Sequence, residues 1–360
     1  MNATKPRYLQ IYEEIRLRLR NAVYQAGDFL PTEAELCREF STSRPTISKA
    51  LKLLSEEKLI SRKAGFGTKV LEPKKSPMLA GLLVPQILNT EIFEPICASI
   101  AENAGIAGMR VIHPSQLNLS GDVKTLTSEL ADHFIEQKVK GVFYAPVEHV
   151  NNQLEFNLEI INRLSDKGIR VVLIDRDIYP WPRQSPCDLI GIDNIEAGFV
   201  VATHLLNKDC SKLAFVSLPN PASTVALRRS GCREALIQKG LRARTLVDVE
   251  FDPKKPSHAV EILRQNEVDG VVCANDVTAA SLMRSLLDQG ASIPKRIKVC
   301  GFDDVKYASL LSVPLTSYQQ PCRDIGRVAA DLMRYRIKHP NAPTQRIALQ
   351  GQLVIRTSSQ

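Results

Sequence analysis

Two groups of side chains in this sequence have types and spacing that could do chemistry. The first is Arg44, Pro45, Thr46, Ser48, Lys49 and Lys52, which share a segment over about 44–57 with Ile47, Ala50, Leu51 and Leu54. At about 100° per residue the apolar members gather on one side, with Pro45, Ser48, Lys49 and Lys52 opposite and Arg44 flanking. A helix divided in this way packs one side on a core and offers donors from the other. Lys and Arg neutralise phosphates or read guanine, and hydroxyls position the backbone or bases. The second group consists of polar pairs that follow strand-length apolar runs: Asp175-Arg176 after 171–174, Asn275-Asp276 after 271–274, and Asp303-Asp304 after 299–302. Ligands of open α/β sheets meet residues just beyond strand C-termini. Asp and Asn there also read as helix N-caps. Three such pairs, with Arg228-Arg229, suit a polyol, because carboxylates and amides engage adjacent hydroxyls and Arg supplies a fork of donors.

The first group is positioned by a short, ordered set of elements. Tyr8, Ile11, Tyr12, Ile15 and Leu19 recur at helical spacing. Thr32-Glu33-Ala34-Glu35 is a capping-box sequence that opens a helix ending near Phe40, with Leu36 and Phe40 inward. A turn at 41–43 leads to Pro45, suited to a first helical turn. Residues 59–70 read as two short strands around a Gly65-Phe66-Gly67 tip. Residues 1–75 hold 15 Lys+Arg against 9 Asp+Glu, leaving 32 against 30 in the other 285. A basic module on a nearly neutral body points to a polyanion-binding head.

Residues 6–71 resemble the DNA-binding domain of the gluconate-repressor (GntR) family. The resemblance rests on Leu30-Pro31-Thr32-Glu33-x-Glu35-Leu36, Ser43-Arg44-Pro45-Thr46-Ile47, Ala50-Leu51-x-x-Leu54 and Gly65-Phe66-Gly67-Thr68. It implies that Arg44 and Thr46 contact operator DNA, helped by the wing around Gly67. The candidate DNA-binding set is Thr32, Arg44, Pro45, Thr46, Ser48, Lys49, Lys52, Gly65, Gly67 and Thr68. Ala34 and Ser48 depart from the family pattern and leave the operator sequence open.

The head is expected over 1–72 and a polar, proline-containing linker over 73–78, followed by a body over 79–360. In the body, apolar strand-length runs alternate with helical patterns, as in parallel doubly wound sheets buried on both faces. Residues 321–338 read as helix, and 344–356 alternate like strands. The body resembles the effector domain of the lactose/galactose-repressor (LacI/GalR) family, with its periplasmic-binding-protein fold. The matching stretches include 171–176, Asp193-Asn194, Arg228-x-x-Gly231, Ala274-Asn275-Asp276, 299–304 and 315–320. Head and body together resemble the arabinose-repressor (AraR-type) arrangement. By resemblance the chain returns to its first lobe near its end, so lobe 1 is expected at about 79–187 and 321–360, and lobe 2 at about 188–320. The resemblance implies that Asp175, Arg228, Asn275, Asp303 and Gln320 line an effector cleft between the lobes. Phe93 could stack on a sugar ring or serve as a core aromatic, and Arg176 could face the ligand or the lobe interface. Trp181, in a proline-broken loop, could touch a ligand or cover the sheet, and the cover is the favoured reading.

The fold expected is an N-terminal winged helix-turn-helix, mainly α with a β-wing, joined to an α/β two-lobed periplasmic-binding-protein-like domain. The function expected is a sugar-responsive transcriptional repressor of carbohydrate genes, dimeric on palindromic double-stranded operator DNA. It is expected to be cytoplasmic and not an enzyme, with no cofactor, metal or membrane partner. The start of the chain lacks a secretory apolar core, which disfavours an exported binding protein. The rival class is a carbohydrate-acting α/β enzyme with a regulatory head. No G-x-S-x-G, G-x-x-x-x-G-K-[ST] or G-x-G-x-x-G motif supports it. The six histidines show no ligand spacing, and the eight cysteines lie at least 22 positions apart, as befits scattered buried thiols.

Overall fold

The structure, a computed structural model, describes residues 6–21, 23–63, 66–71, 78–84, 91–106, 108–112 and 122–360. It divides into two units, 1–76 and 77–360. The boundary falls in the expected linker, most of which lies outside the described residues. Among the described residues no helix is long and apolar enough to cross a membrane.

In the first unit, α1 (Arg7–Arg20), α2 (Glu33–Glu39) and α3 (Arg44–Glu56) enclose a core with Ile11, Ile15, Leu36, Ile47, Ala50, Leu51 and Leu54 fully buried. Burying one such aliphatic side chain contributes about 1.5–3 kcal/mol, so the periodic face of α3 is what fixes its orientation. The Thr32 capping box forms in full: Thr32 Oγ1 accepts from Glu35 N (3.3 Å), and Thr32 N donates to Glu35 Oε2 (2.7 Å). Strands β1 (Ile60–Lys63) and β2 (Gly67–Val70) pair antiparallel, closing on Lys63 and Gly67. Gly67 has φ +91°, a conformation that favours glycine. Leu30 N donates to Thr68 O, which ties the wing to the start of α2.

The described residues of the second unit form two six-stranded sheets. Its elements begin with β3 (Met78–Leu83), α4 (Phe93–Ile106), β4 (Met109–Ile112), α5 (Val123–Glu136) and β5 (Gly141–Tyr144). They continue with α6 (Gln153–Asp166), β6 (Arg170–Ile174), β7 (Asp188–Ile192), α7 (Asn194–Asn207), β8 (Leu213–Ser217) and α8 (Ser223–Gln238). Next come β9 (Val247–Glu250), α9 (Pro256–Gln265), β10 (Gly270–Cys273), α10 (Asp276–Asp288) and β11 (Lys298–Asp303). The chain finishes with β12 (Thr316–Gln319), α11 (Cys322–Lys338), β13 (Arg346–Leu349) and β14 (Gln352–Val354). The sheet orders are β13-β7-β6-β5-β3-β4 in lobe 1 and β14-β12-β11-β10-β8-β9 in lobe 2.

Strand residues alternate between two cores in each lobe, as the two-residue side-chain period requires. In lobe 1, Phe143, Val172 and Ile174 face α4 and α11, while Val142, Tyr144, Val171 and Leu173 face α5 and α6. In lobe 2, Phe215, Val272 and Phe302 face α7 and α8, while Val216, Val271 and Val299 face α9 and α10. Helices α7 and α8 approach until backbone meets backbone: a Cβ on Gly198 would lie 1.9 Å from Arg228 O, and one on Gly231 2.0 Å from Ile195 O.

The lobes differ from the expected division in two places. Residues 188–192 were assigned to lobe 2, but β7 pairs in parallel with β6 and β13 in lobe 1. The end of the chain was assigned to lobe 1, but β14 pairs antiparallel with β12 in lobe 2, the exception to that sheet's parallel pairing. Short apolar strands read alike in either sheet, and only their hydrogen-bond partners decide membership. The described chain therefore passes between lobes three times: after β7, between β12 and α11, and at Gln350–Gly351. The Ser358 hydroxyl, donating to Val299 O (2.6 Å), anchors the C-terminus in lobe 2.

Candidate functional site

In the head, Arg44 opens α3 with its side chain 80% exposed, its Nε 3.0 Å from Glu33 Oε2. The other Glu33 oxygen holds Arg62 of β1, whose second terminal nitrogen is 3.5 Å from Ser48 Oγ. Glu33 thus joins α2, α3 and the wing, orienting two guanidinium groups on one face. Thr32, Glu33, Arg44, Arg62, Gly67 and Thr68 line one concavity. Pro45 is exposed in the first turn of α3, and Ser43 Oγ lies 2.9 Å from Thr46 Oγ1. Lys49 and Lys52 lie apart from that concavity. Lys49 Nζ sits 4.1 Å from the Tyr8 ring centroid, and Lys52 Nζ is 3.9 Å from Glu56. Gly65 lies outside the described residues. Sequence reasoning passed over Glu33 and Arg62 as functional side chains. The signal available was the basic pair Arg62-Lys63 beside the wing tip.

In the body, Phe93, Asp175, Arg176, Arg228, Asp303 and Gln320 come together between the lobes, each no more than 7% exposed. Asp175, just past β6, and Asp303, the last residue of β11, have φ +70° and +104°, and neither is the N-cap of an α-helix. Arg228 reaches from α8 to Asn194 Oδ1 (2.9 Å) and Ala274 O (2.7 Å), with Asp303 Oδ1 at 3.7 Å and the Phe302 ring centroid at 4.6 Å. Gln320, at the second crossover, donates to Asp303 Oδ1 (2.8 Å). Arg176 pairs with Asp175 (3.0 Å) and Glu148 and lies over Phe93, 5.4 Å from its centroid. Asn275 stands apart, half-buried, its side-chain oxygen taken by Thr278 N as the N-cap of α10. Glu148 and Asn194 also belong to the cluster. A lone glutamate in a loop carried no sequence signal, and Asn194 was visible only beside Asp193.

Burial controls the electrostatics of this cluster. It pushes the Asp303 carboxyl up, against the opposing pull of Arg228 and Gln320, while Asp175 adds to the rise. Burial acts in the same direction on Glu148, but Arg176 and His149 outweigh it and hold Glu148 below the usual carboxylate range. Within the cluster two acceptors, Asp175 Oδ1 and Gln320 Oε1, and one donor, Arg176 Nη1, make no hydrogen bond among the described residues, although Arg176 Nη1 stays in ionic contact with Glu148. Asp175 and Gln320 each line a cavity: about 150 Å³ beside Asp175, Asn194, Thr224 and Trp181, and about 310 Å³ beside Glu91, Asp303, Lys306 and Gln320. Trp181 is 70% exposed and lines the first cavity, which does not fit the favoured reading as a sheet cover and agrees with the other, a place beside a ligand. Polar contacts join the lobes at both edges: Ala222 N to Glu148 (3.1 Å), Ser223 Oγ to Asp177 O (2.8 Å), and Lys306 to Glu91 and Glu94 (3.0 and 3.1 Å).

Residues 7–70 match the family of bacterial regulatory proteins, gntR family, and residues 202–359 match a periplasmic binding protein-like domain. Among curated proteins, the arabinose metabolism transcriptional repressor of Geobacillus stearothermophilus is 25% identical over 342 residues, spanning 92% of this chain and 91% of that protein. The ribose operon repressor of Bacillus subtilis is 25% identical over 262 residues, covering 72% of this chain and 74% of that protein. Among solved structures, a complex of the transcriptional regulator CelR with cellobiose superimposes with a TM-score of 0.65 at 19% identity, over 91% of this chain and 100% of that one. A LacI family transcriptional regulator from Enterococcus faecium with bound ribose gives 0.62 at 21% identity, over 78% and 98%.

Proposed function

We propose that this chain, which joins a gntR-family domain to a periplasmic-binding-protein-like domain, is a sugar-responsive transcriptional repressor acting in the cytoplasm. The observation that carries the reading is the enclosed cluster of charged and polar side chains between two α/β lobes. Its members come from both lobes and from a crossover, so a ligand there engages the parts whose relative position can change. Asp175, Arg176, Arg228, Asp303 and Gln320 would hold the sugar hydroxyls, with Phe93 forming an apolar wall, whereas Asn275 is committed to capping α10. The relatives named as arabinose and ribose repressors support the same class.

The head supplies the second half. Arg44, steadied by Glu33, and Arg62 present guanidinium groups beside Thr46 and Ser48, which suits base edges and phosphates in a major groove. A homodimer would place two such heads on a palindromic operator. Effector in the cleft selects one lobe arrangement, and operator affinity falls by the difference in effector affinity between arrangements.

The test uses purified full-length protein and DNA from a genomic selection. Native protein should bind one sequence class saturably and more weakly as salt rises. Arg44→Ala should lose about 1–3 kcal/mol of DNA binding with sugar affinity intact. Asp303→Ala should lose sugar binding with DNA affinity intact. Binding without sequence preference, or both variants failing in the same assay, would contradict the assignment.

A further inference from the structure

We propose that the tip of the wing is an apolar wedge: Phe66 enters the minor groove of the operator, parts one base step and bends the duplex. Phe66 thereby sets specificity at a step with which its side chain makes no hydrogen bond. The proposal rests on the DNA-binding half of the function above and goes beyond it.

Phe66 is 70% exposed at the turn between β1 and β2. An apolar ring held in water is favourably buried against a partner. Gly65 and Gly67 flank it in the sequence, so neither adjoining residue adds a side chain to the tip. The minor groove of B-DNA, about 6 Å wide, has room for a tip this slim. Phe66 N donates to Lys63 O (3.0 Å), and Gly67, with φ +91°, turns the chain into β2, which sets the ring at the end of the hairpin. Phe29, 58% exposed and bridged to Lys69, backs the wing: its ring lies 3.3 Å from where a Cβ on Gly67 would stand.

Charge decides the partner. The cores of protein–protein interfaces are depleted in charge. Here Lys63 Nζ lies 4.7 Å from the Phe66 ring centroid, and Arg44, Arg62 and Lys63 line one concavity with Phe29 and Phe66. Among the described residues lining it Glu33 is the one acid, and Arg44 and Arg62 share it. Three cations around two exposed rings suit a polyanion whose stacked bases offer apolar faces. Arg62 ties β1 to Ser48 of α3 (3.5 Å), so with α3 in the major groove the wing lies over the adjoining backbone and its tip meets the minor groove. An apolar side chain placed between base steps unstacks them and kinks the duplex. Pyrimidine–purine steps yield most easily, so the operator should carry one at a fixed distance from the bases that α3 reads.

The experiment uses full-length protein and the operator recovered by selection, with 2-aminopurine replacing the adenine of the pyrimidine–purine step. Bending is read from circularly permuted fragments and unstacking from 2-aminopurine emission. The native complex should be bent by about 20–90° and should brighten. Phe66→Ala should bind about tenfold more weakly, lose most of the bend and the brightening, and keep the salt slope, since no phosphate contact is removed. Phe66→Leu, still an apolar wedge, should retain bend and emission. Lys63→Ala should do the reverse of Phe66→Ala, with a salt slope smaller by about 1 and the bend kept. An unbent native complex would overturn the proposal. So would a Phe66→Ala protein with native affinity and bend, the result expected if the ring served a protein partner, or one that lost affinity while bending the operator as before. Protein that preferred no DNA sequence would instead overturn the DNA-binding function itself, and this proposal with it.

Discussion

Arg228 meets Asn194, Ala274, Asp303 and Phe302 at once while almost fully buried. Removing one partner of a buried ion pair leaves the other charge uncompensated, which costs more than the pair contributed. Arg228→Met should therefore destabilise the body by about 3–5 kcal/mol in urea unfolding. A loss under about 1 kcal/mol, the range of exposed pairs, would mean that the cluster is hydrated. Asp276 offers a second test. It accepts from Ser317 Oγ (2.6 Å) and Val305 N (3.0 Å), and burial, with Asp303 and Asp304 adding, holds its carboxyl well above the usual range. A folded-state pKa above the unfolded one means that its contribution to stability is fully present below the unfolded value. That contribution is lost as pH rises through the folded value. Asp276→Asn keeps an acceptor for Val305 and removes the titration. The variant should thus gain stability relative to native protein as pH is raised from about 4 toward neutrality. A difference independent of pH would contradict the raised value.

At the scale of elements, the contact between α7 and α8 links packing to the site, because the Gly198 position abuts the backbone of Arg228 itself. Gly198→Ala must push α8 away, at a cost of about 1–3 kcal/mol, and should weaken sugar binding by displacing the Arg228 guanidinium. Gly105→Ala in α4, where an added Cβ meets nothing within 4 Å, should instead stabilise by about 0.5–1 kcal/mol. Equal effects of the two substitutions in denaturation would refute the packing argument. What was legible in the sequence divides along the same line. The two faces of α3, the Thr32–Glu35 box and the Pro45 start are set by contacts within one or two turns, so spacing revealed them. The sheet membership of β7 and β14 depends on partners far along the chain and was misassigned. Strand β9, four residues with only Val249 buried, was passed over because so short an edge strand has almost no pattern. Glu33 and Glu148 were missed for a related reason. A single acid on a polar segment looks like surface until the arginine it serves arrives from another element.

At the scale of the whole molecule, one basic unit and one two-lobed unit are joined in a single chain, and function requires that they exchange free energy. Among the described residues three crossovers join the lobes, and a change in their relation at these connections would leave each sheet intact. The polar contacts at the lobe edges, Glu148 with Ala222 and Lys306 with Glu91 and Glu94, are what such a change would break or remake. Coupling of this kind is reciprocal: if the sugar lowers operator affinity by some factor, operator must lower sugar affinity by the same factor. The most direct measurement is therefore a closed cycle on the full-length protein. Sugar affinity is measured with and without saturating operator, and operator affinity with and without saturating sugar. The account predicts the same factor on both sides, about 5- to 150-fold. Tight sugar binding that leaves operator affinity unchanged would contradict it.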